Sequence, residues 1–188
     1  MPTFRTSQPV SAADPAVPHV ILVGLPGSGK TTVGEEVARR LNRNFLDFDA
    51  EIVRREGMSI AEIFGARGEP YFREIERCLT EELHGLGGYV IAPGGGWIAN
   101  PGCLEALRPP AKVIYLQVTP ERALDRMAGA AQDRPLLRRP DPIGELRRLL
   151  ASREARYLLA DHIVRVDFRR ANEVVDSIVA LAKGDRPD

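Results

Sequence analysis

Residues 24 to 31 read Gly24-Leu25-Pro26-Gly27-Ser28-Gly29-Lys30-Thr31, and no other run constrains the architecture as much. It follows His19-Val20-Ile21-Leu22-Val23, an uninterrupted apolar, β-branched run of the kind buried in a parallel sheet. Afterwards Val33, Val37, Ala38 and Leu41 recur at helical spacing. Strand, glycine loop and helix together form the context of a G-x-x-x-x-G-K-[ST] phosphate loop. Glycines let backbone N–H groups turn inward around phosphate oxygens, and the new helix adds its positive end. Lys30 can then reach the β- and γ-phosphates of a nucleoside triphosphate, and the Thr31 hydroxyl can ligate Mg²⁺.

The rest of the chain alternates in the manner this start demands. Strands are expected near 19–23, 44–48, 88–92, 111–118 and 162–167. Helical patterns fall near 30–42, 50–56, 59–66, 69–85, 100–107, 120–127, 142–160 and 171–182. That is an α/β domain with a five-stranded, mostly parallel sheet, and its ligands gather at the carboxyl ends of the strands. The 188 residues suffice for one such domain over 19–182. The Pro-, Ser- and Ala-rich residues 1–18 and the polar tail 183–188 are expected to be disordered.

Lys plus Arg equals Asp plus Glu at 26 each, so no global basic field marks a nucleic-acid binder. Cys78 and Cys103 form no C-x-x-C pair and read as packing residues of a reduced compartment. No apolar stretch approaches the roughly eighteen residues of a membrane span. A soluble, cytoplasmic, monomeric protein is expected.

Three strand ends carry chemistry. After the second stand Asp47 and Asp49, read as alternating along an extended segment, so that one can hold a Mg²⁺-bound water and the other can face a substrate hydroxyl. A helix beginning near Ala50 offers Asp49 the plainer role of N-cap. After the third stand Gly94, Gly95 and Gly96, which permit close approach of a ligand to the backbone; a flexible loop is the plain alternative. The arginine-bearing stretch 126–139 follows the fourth strand and its helix. Arg73, Glu76 and Arg77 by themselves fit a solvated ion-pair face.

As an ordered set, the glycine loop, Asp47-x-Asp49, Met58-Ser59-Ile60-Ala61-Glu62-Ile63-Phe64, Phe72-Arg73-x-x-Glu76, Gly94-Gly95-Gly96, Arg134-Pro135-Leu136-Leu137 and Arg153-x-x-x-Tyr157 resemble the shikimate kinases over about residues 19–182. The resemblance implies a three-layer P-loop kinase fold with a mobile lid, and ATP-dependent phosphorylation of the shikimate 3-hydroxyl with ATP and Mg²⁺. It implies that Gly27, Ser28, Gly29, Lys30, Thr31 and Thr32 hold the nucleotide phosphates, that Thr31 ligates the metal and that Asp47 holds it through water. Asp49 would bind acceptor hydroxyls and orient the attacked one. Arg73, positioned by Glu76, and Arg153 would clamp the shikimate carboxylate beside Gly94, Gly95 and Gly96. Arg134 would descend on the phosphates with a lid over Gly129 to Pro140, and adenine would rest near Arg126 and near Arg169 or Arg170.

Pro93 and Trp97 depart from the family pattern. Trp97 either faces the acceptor pocket or packs beneath the glycines, and packing is the expectation for a Trp beside an apolar strand. Two other readings remain: a kinase for another small hydroxy acid such as gluconate, and a non-catalytic effector sensor. Retention of Lys30, Thr31, Asp47, Asp49 and Arg134 argues against the second.

Overall fold

The structure is a computed structural model that describes residues 14–128 and 135–184. Its centre is a sheet of β1 (Val20–Val23), β2 (Asn44–Asp47), β3 (Tyr89–Ala92), β4 (Lys112–Gln117) and β5 (His162–Arg165), ordered β2-β3-β1-β4-β5. Every pairing is parallel. The register sets Ile21 beside Ile91 and Val113, Asp47 beside Ala92, and Gln117 beside Arg165. The carboxyl ends of all five strands therefore lie along one edge. The central strand is the one that feeds the glycine loop, as the apolar run at 20–23 requires; Ile21, Leu22, Val90, Ile91, Val113, Ile114 and Leu116 have no solvent exposure.

Seven α-helices flank the sheet among the described residues. They are α1 (Lys30–Leu41), α2 (Phe48–Glu56), α3 (Ile60–Leu83), α4 (Cys103–Leu107), α5 (Pro120–Ala128), α6 (Pro142–Tyr157) and α7 (Ala171–Lys183). Helix α1 packs against α7, α5 against α6, and α3 against both α2 and α4, which gives the expected three layers. Local chemistry starts several of them. Ser59 Oγ accepts from Glu62 N and Ser59 N donates to Glu62 Oε2, a capping box at the head of α3. Asp141 Oδ1 accepts from Gly144 N at 2.9 Å to start α6.

The two helical patterns expected at 59–66 and 69–85 run together as α3, bent at Gly68, whose φ of 79° and ψ of 171° are not helical. Pro70 follows at the start of the second arm, where its missing N–H costs nothing. Residues 14–18 belong to the packed body rather than to a disordered extension: Gly88 N donates to Val17 O at 2.7 Å and Arg43 Nη1 to Pro18 O at 3.1 Å. Residues 1–13, 129–134 and 185–188 lie outside the described residues, and with them Arg134 and the first part of the expected lid. Pro135–Arg138 form a 3₁₀ turn ahead of α6.

Candidate active site

The glycine loop opens a cavity of about 500 Å³ at the carboxyl edge of the sheet, lined by the loop, Asp47, Asp49, Pro93, Gly95 and Arg126 among others. Gly27 holds a φ of 81°, and a Cβ there would lie 2.5 Å from the Ala123 carbonyl oxygen of α5. Only glycine brings the loop this close to α5. Lys30 Nζ donates to the Gly24 and Leu25 carbonyls at 3.0 Å each, so the ammonium folds back over the loop it belongs to. Ser28 Oγ is buried without a hydrogen-bond partner among the described residues.

Thr31 Oγ1 donates to Asp47 Oδ2 at 2.7 Å, while Asp47 Oδ1 accepts from Ala50 N at 3.2 Å. This corrects the sequence reading in two respects. The helix begins at Phe48 rather than near Ala50, so its N-cap is Asp47, not Asp49. The two aspartates do not alternate along one extended segment either, because Asp47 ends β2 and Asp49 lies in the first turn of α2. The turn is what separates them. Asp47 faces Thr31, and Asp49 faces the glycines after β3.

The hard oxygens of Thr31 and Asp47 at the phosphate loop fit a magnesium ion that keeps most of its water. No cluster of three or more His, Cys, Asp or Glu side chains suited to a metal occurs among the described residues. Such a pair suits an ion that enters with nucleotide phosphates rather than one caged by protein.

Asp49 keeps access to solvent through the cavity, while the protein packed around it and the nearby Asp47 charge push its carboxyl above the ordinary range against the pull of Lys30 and Arg73. Beside it, Arg73 reaches across from α3. Its Nη1 donates to Glu76 Oε2 at 2.7 Å, and its Nε and Nη2 donate to Glu69 Oε1 at 3.2 and 2.8 Å. Glu76 is completely buried and its Oε1 has no hydrogen-bond partner among the described residues. Burial drives its carboxyl up to about 7, with Arg73 opposing. Asn100 holds the unit from the next loop, donating to Arg73 O at 2.8 Å and reaching Glu76 Oε2 at 3.5 Å.

The three glycines are not equivalent. A Cβ on Gly94 would lie 2.7 Å from Asp49 Oδ1 and 3.1 Å from Glu76 Oε1, and one on Gly96 would lie 2.6 Å from Arg73 Cζ. On Gly95 it would meet Arg153 Nη1 at an ordinary 3.5 Å. Gly95 serves instead through its carbonyl, which accepts from Arg153 Nη1 at 2.8 Å and from the Tyr157 hydroxyl at 3.2 Å. Tyr157 stacks on Tyr115 of β4, with centroids 4.8 Å apart, and so ties α6 to the sheet.

Trp97 packs beneath the glycines as expected: it has no exposure, its Nε1 donates to Thr80 Oγ1 at 2.8 Å, and it meets Phe48 edge-on.

At the far end of the cavity Arg126 donates to the Ser28 carbonyl at 3.5 Å and to the Val166 carbonyl. Arg169 lines the cavity wall, whereas Arg170 precedes α7 and donates its backbone N–H to Glu173 Oε2 at 3.1 Å. Thus the structure brings together Lys30, Thr31, Asp47, Asp49, Gly95 and Arg126 around one cavity, and beside Gly95 the two arginines Arg73, against Gly96, and Arg153, bonded to the Gly95 carbonyl, form a cationic rim. Sequence reading does not find Asn100 or Glu69. Asn100 carries no local motif and gains its partners only through the fold, while Glu69 stands four residues before Arg73, a spacing that signals a helical ion pair.

A phosphate loop beside paired arginines and a carboxylate defines a P-loop kinase that acts on a small anionic molecule. The shikimate kinase family profile matches residues 26–183. A shikimate kinase from Caldanaerobacter subterraneus subsp. tengcongensis is 40% identical over 161 residues, covering 86% of this chain and 94% of that protein. The structure of a shikimate kinase from Acinetobacter baumannii in complex with shikimate superposes with a TM-score of 0.82 at 36% identity, over 89% of this chain and 94% of that one. A gluconokinase from Sinorhizobium meliloti shares the fold alone, with a TM-score of 0.56 at 16% identity over 89% of this chain and 92% of that one. The chain belongs to the shikimate kinase family.

Proposed function

We propose that the protein transfers the γ-phosphoryl group of ATP to the 3-hydroxyl of shikimate, giving ADP and shikimate 3-phosphate. The observation that carries this reading is the rim: Arg73 and Arg153 stand around Gly94 to Gly96 with Asp49 beside them, next to the phosphate loop. Planar cationic forks suit a carboxylate and an oxygen acceptor suits hydroxyls, which are the two chemistries shikimate presents. Gluconate is also a hydroxy acid, but the gluconokinase likeness extends only to the fold, and the family match favours neither that acceptor nor a sensor.

On this reading the shikimate hydroxyl oxygen forms the new bond to the γ-phosphorus while the bond to the β-phosphate oxygen breaks. Asp49 orients the hydroxyl and takes its proton. Lys30 swings from the Gly24 and Leu25 carbonyls to the transferring phosphoryl, Gly27 to Thr32 cradle the phosphates, and Arg134 closes over them. Thr31, and Asp47 through water, would hold Mg²⁺, which would supply neutralisation of phosphate charge when bound. Arg126 and Arg169 or Arg170 flank the adenine. On the same reading the protein works as a monomer. No described helix is long and apolar enough to cross a membrane, and on this reading the protein works in the cytoplasm.

The test is a coupled assay of ATP consumption with shikimate, gluconate, quinate and nucleoside monophosphates as acceptors. Shikimate should give by far the highest kcat/KM. Preference for gluconate, or no turnover with any acceptor, would overturn the proposal.

A further inference from the structure

Arginine offers five N–H groups, and its Nε and Nη2 form one edge suited to a carboxylate. In Arg73 that edge is occupied, since both groups donate to the single oxygen Oε1 of Glu69. The other end is committed differently: Nη1 is held by Glu76, which is 0% exposed, and the guanidinium lies against the Cα of Gly96. Glu76 and Gly96 thus fix where Arg73 points without help from Glu69. Glu69 is 64% exposed and uses only one carboxylate oxygen in the pair.

The backbone explains why Glu69 stands there. The break at Gly68 starts the second arm of α3 at Glu69 and Pro70, and from that start Arg73 is one helical turn onward on the same face. An exposed ion pair of this kind is weak. An incoming carboxylate that presents two oxygens to the same edge forms the stronger, bidentate arrangement.

We propose that Glu69 is an intramolecular stand-in for the acceptor's carboxylate, occupying the Nε and Nη2 edge of Arg73 before the acceptor arrives and leaving it when an anionic acceptor binds. The inference rests on the functional reading above and adds a specificity-determining residue to it. A carboxylate-bearing acceptor replaces Glu69 and recovers the ionic contact. An uncharged polyol of the same shape cannot, so it leaves the pair closed and gains nothing from Arg73. The cost of displacement falls on binding alone, because Glu69 touches neither the phosphate loop nor Asp49 in the described contacts.

The experiment compares steady-state kinetics of the wild-type chain, Glu69→Gln and Glu69→Ala with shikimate. Glu74→Gln serves as control because it removes the same charge from the same helix but pairs with Arg77. Thermal melts establish that each variant is folded. Both Glu69 variants should lower the KM for shikimate by about two- to fivefold, the range for removing an exposed competing ion pair, with kcat and the KM for ATP unchanged. Calorimetric titration of shikimate without nucleotide should show the same factor in Kd, and Glu74→Gln should show none. An unchanged or raised shikimate KM in the Glu69 variants of an active enzyme would overturn this inference and leave the functional reading standing. A wild-type chain that does not phosphorylate shikimate would remove both.

Discussion

Alanine substitutions at Gly94, Gly95 and Gly96 separate three roles that the sequence writes identically. None of the three is among the glycines with positive φ, so backbone strain does not decide the outcome and the space beside each Cα does. On Gly94 the new methyl would stand 2.7 Å from Asp49 Oδ1, whereas ordinary contact begins near 3.4 Å. The carboxylate must therefore retreat by roughly 0.7 Å, and misplacing a reacting group by about 1 Å costs on the order of 10²-fold in rate. On Gly96 the methyl would press on the Arg73 guanidinium, 2.6 Å from Cζ. Displacing that fork removes hydrogen bonds to a charged group worth about 1.5–3 kcal/mol, or about ten- to hundredfold in KM. On Gly95 the methyl would meet Arg153 Nη1 and Pro26 at 3.5 Å, which is ordinary contact.

We therefore expect Gly94→Ala to act chiefly on kcat, Gly96→Ala chiefly on the KM for shikimate, and Gly95→Ala to cost least. The KM for ATP should change little in any of them. Steady-state kinetics with both substrates varied, on proteins shown by circular dichroism to be folded, would measure all three. Equal losses at the three positions, or a normal shikimate KM in Gly96→Ala, would refute the idea that side-chain space rather than loop flexibility is what the glycines provide.

Three further outcomes are expected. Burial, opposed by Arg73, raises the Glu76 carboxyl to about 7 from its usual 4.5, so the native state holds the proton across a window in which the unfolded chain has released it. The resulting stability is full below about 4.5 and gone above about 7. Urea midpoints should thus fall with rising pH across that window in the wild type relative to Glu76→Gln, and parallel profiles would mean that Glu76 titrates normally. Trp97→Phe should cost about 1–3 kcal/mol in urea unfolding, through the lost bond to Thr80 and the smaller ring, with little effect on shikimate kinetics. A large KM change at unaltered stability would instead place Trp97 in the acceptor pocket. Lys30→Ala should lower kcat by at least about a hundredfold while the loop still forms, and near-normal turnover would remove Lys30 from the phosphoryl-transfer step.

The elements are legible in the sequence wherever their cause is local. The apolar run at 20–23, the glycine loop and the helix after it are contiguous, so β1, the loop and α1 can be read directly. Ser59 with Glu62 announces the start of α3, and the break expected between 66 and 69 is the Gly68 kink. Asp47 shows where local reading stops. That an aspartate near residue 49 caps a helix is visible in the sequence, but which one does so depends on where β2 ends, and that is set by its pairing with Ala92 of β3.

The sequence by itself thus determined the alternation of strands and helices, the phosphate loop and the types of charged group available to the site, because each depends on residues within a turn or two of one another. Only the tertiary structure decided strand order, the distinct duties of Gly94, Gly95 and Gly96, and the burial of Glu76 between Arg73 and Asn100. It also decided that Arg169 rather than Arg170 lines the cavity in this structure and that Trp97 lies beneath the glycines. The reason is physical. These properties are distances between groups carried on different strands and helices, and a chain acquires such distances only when its core packs.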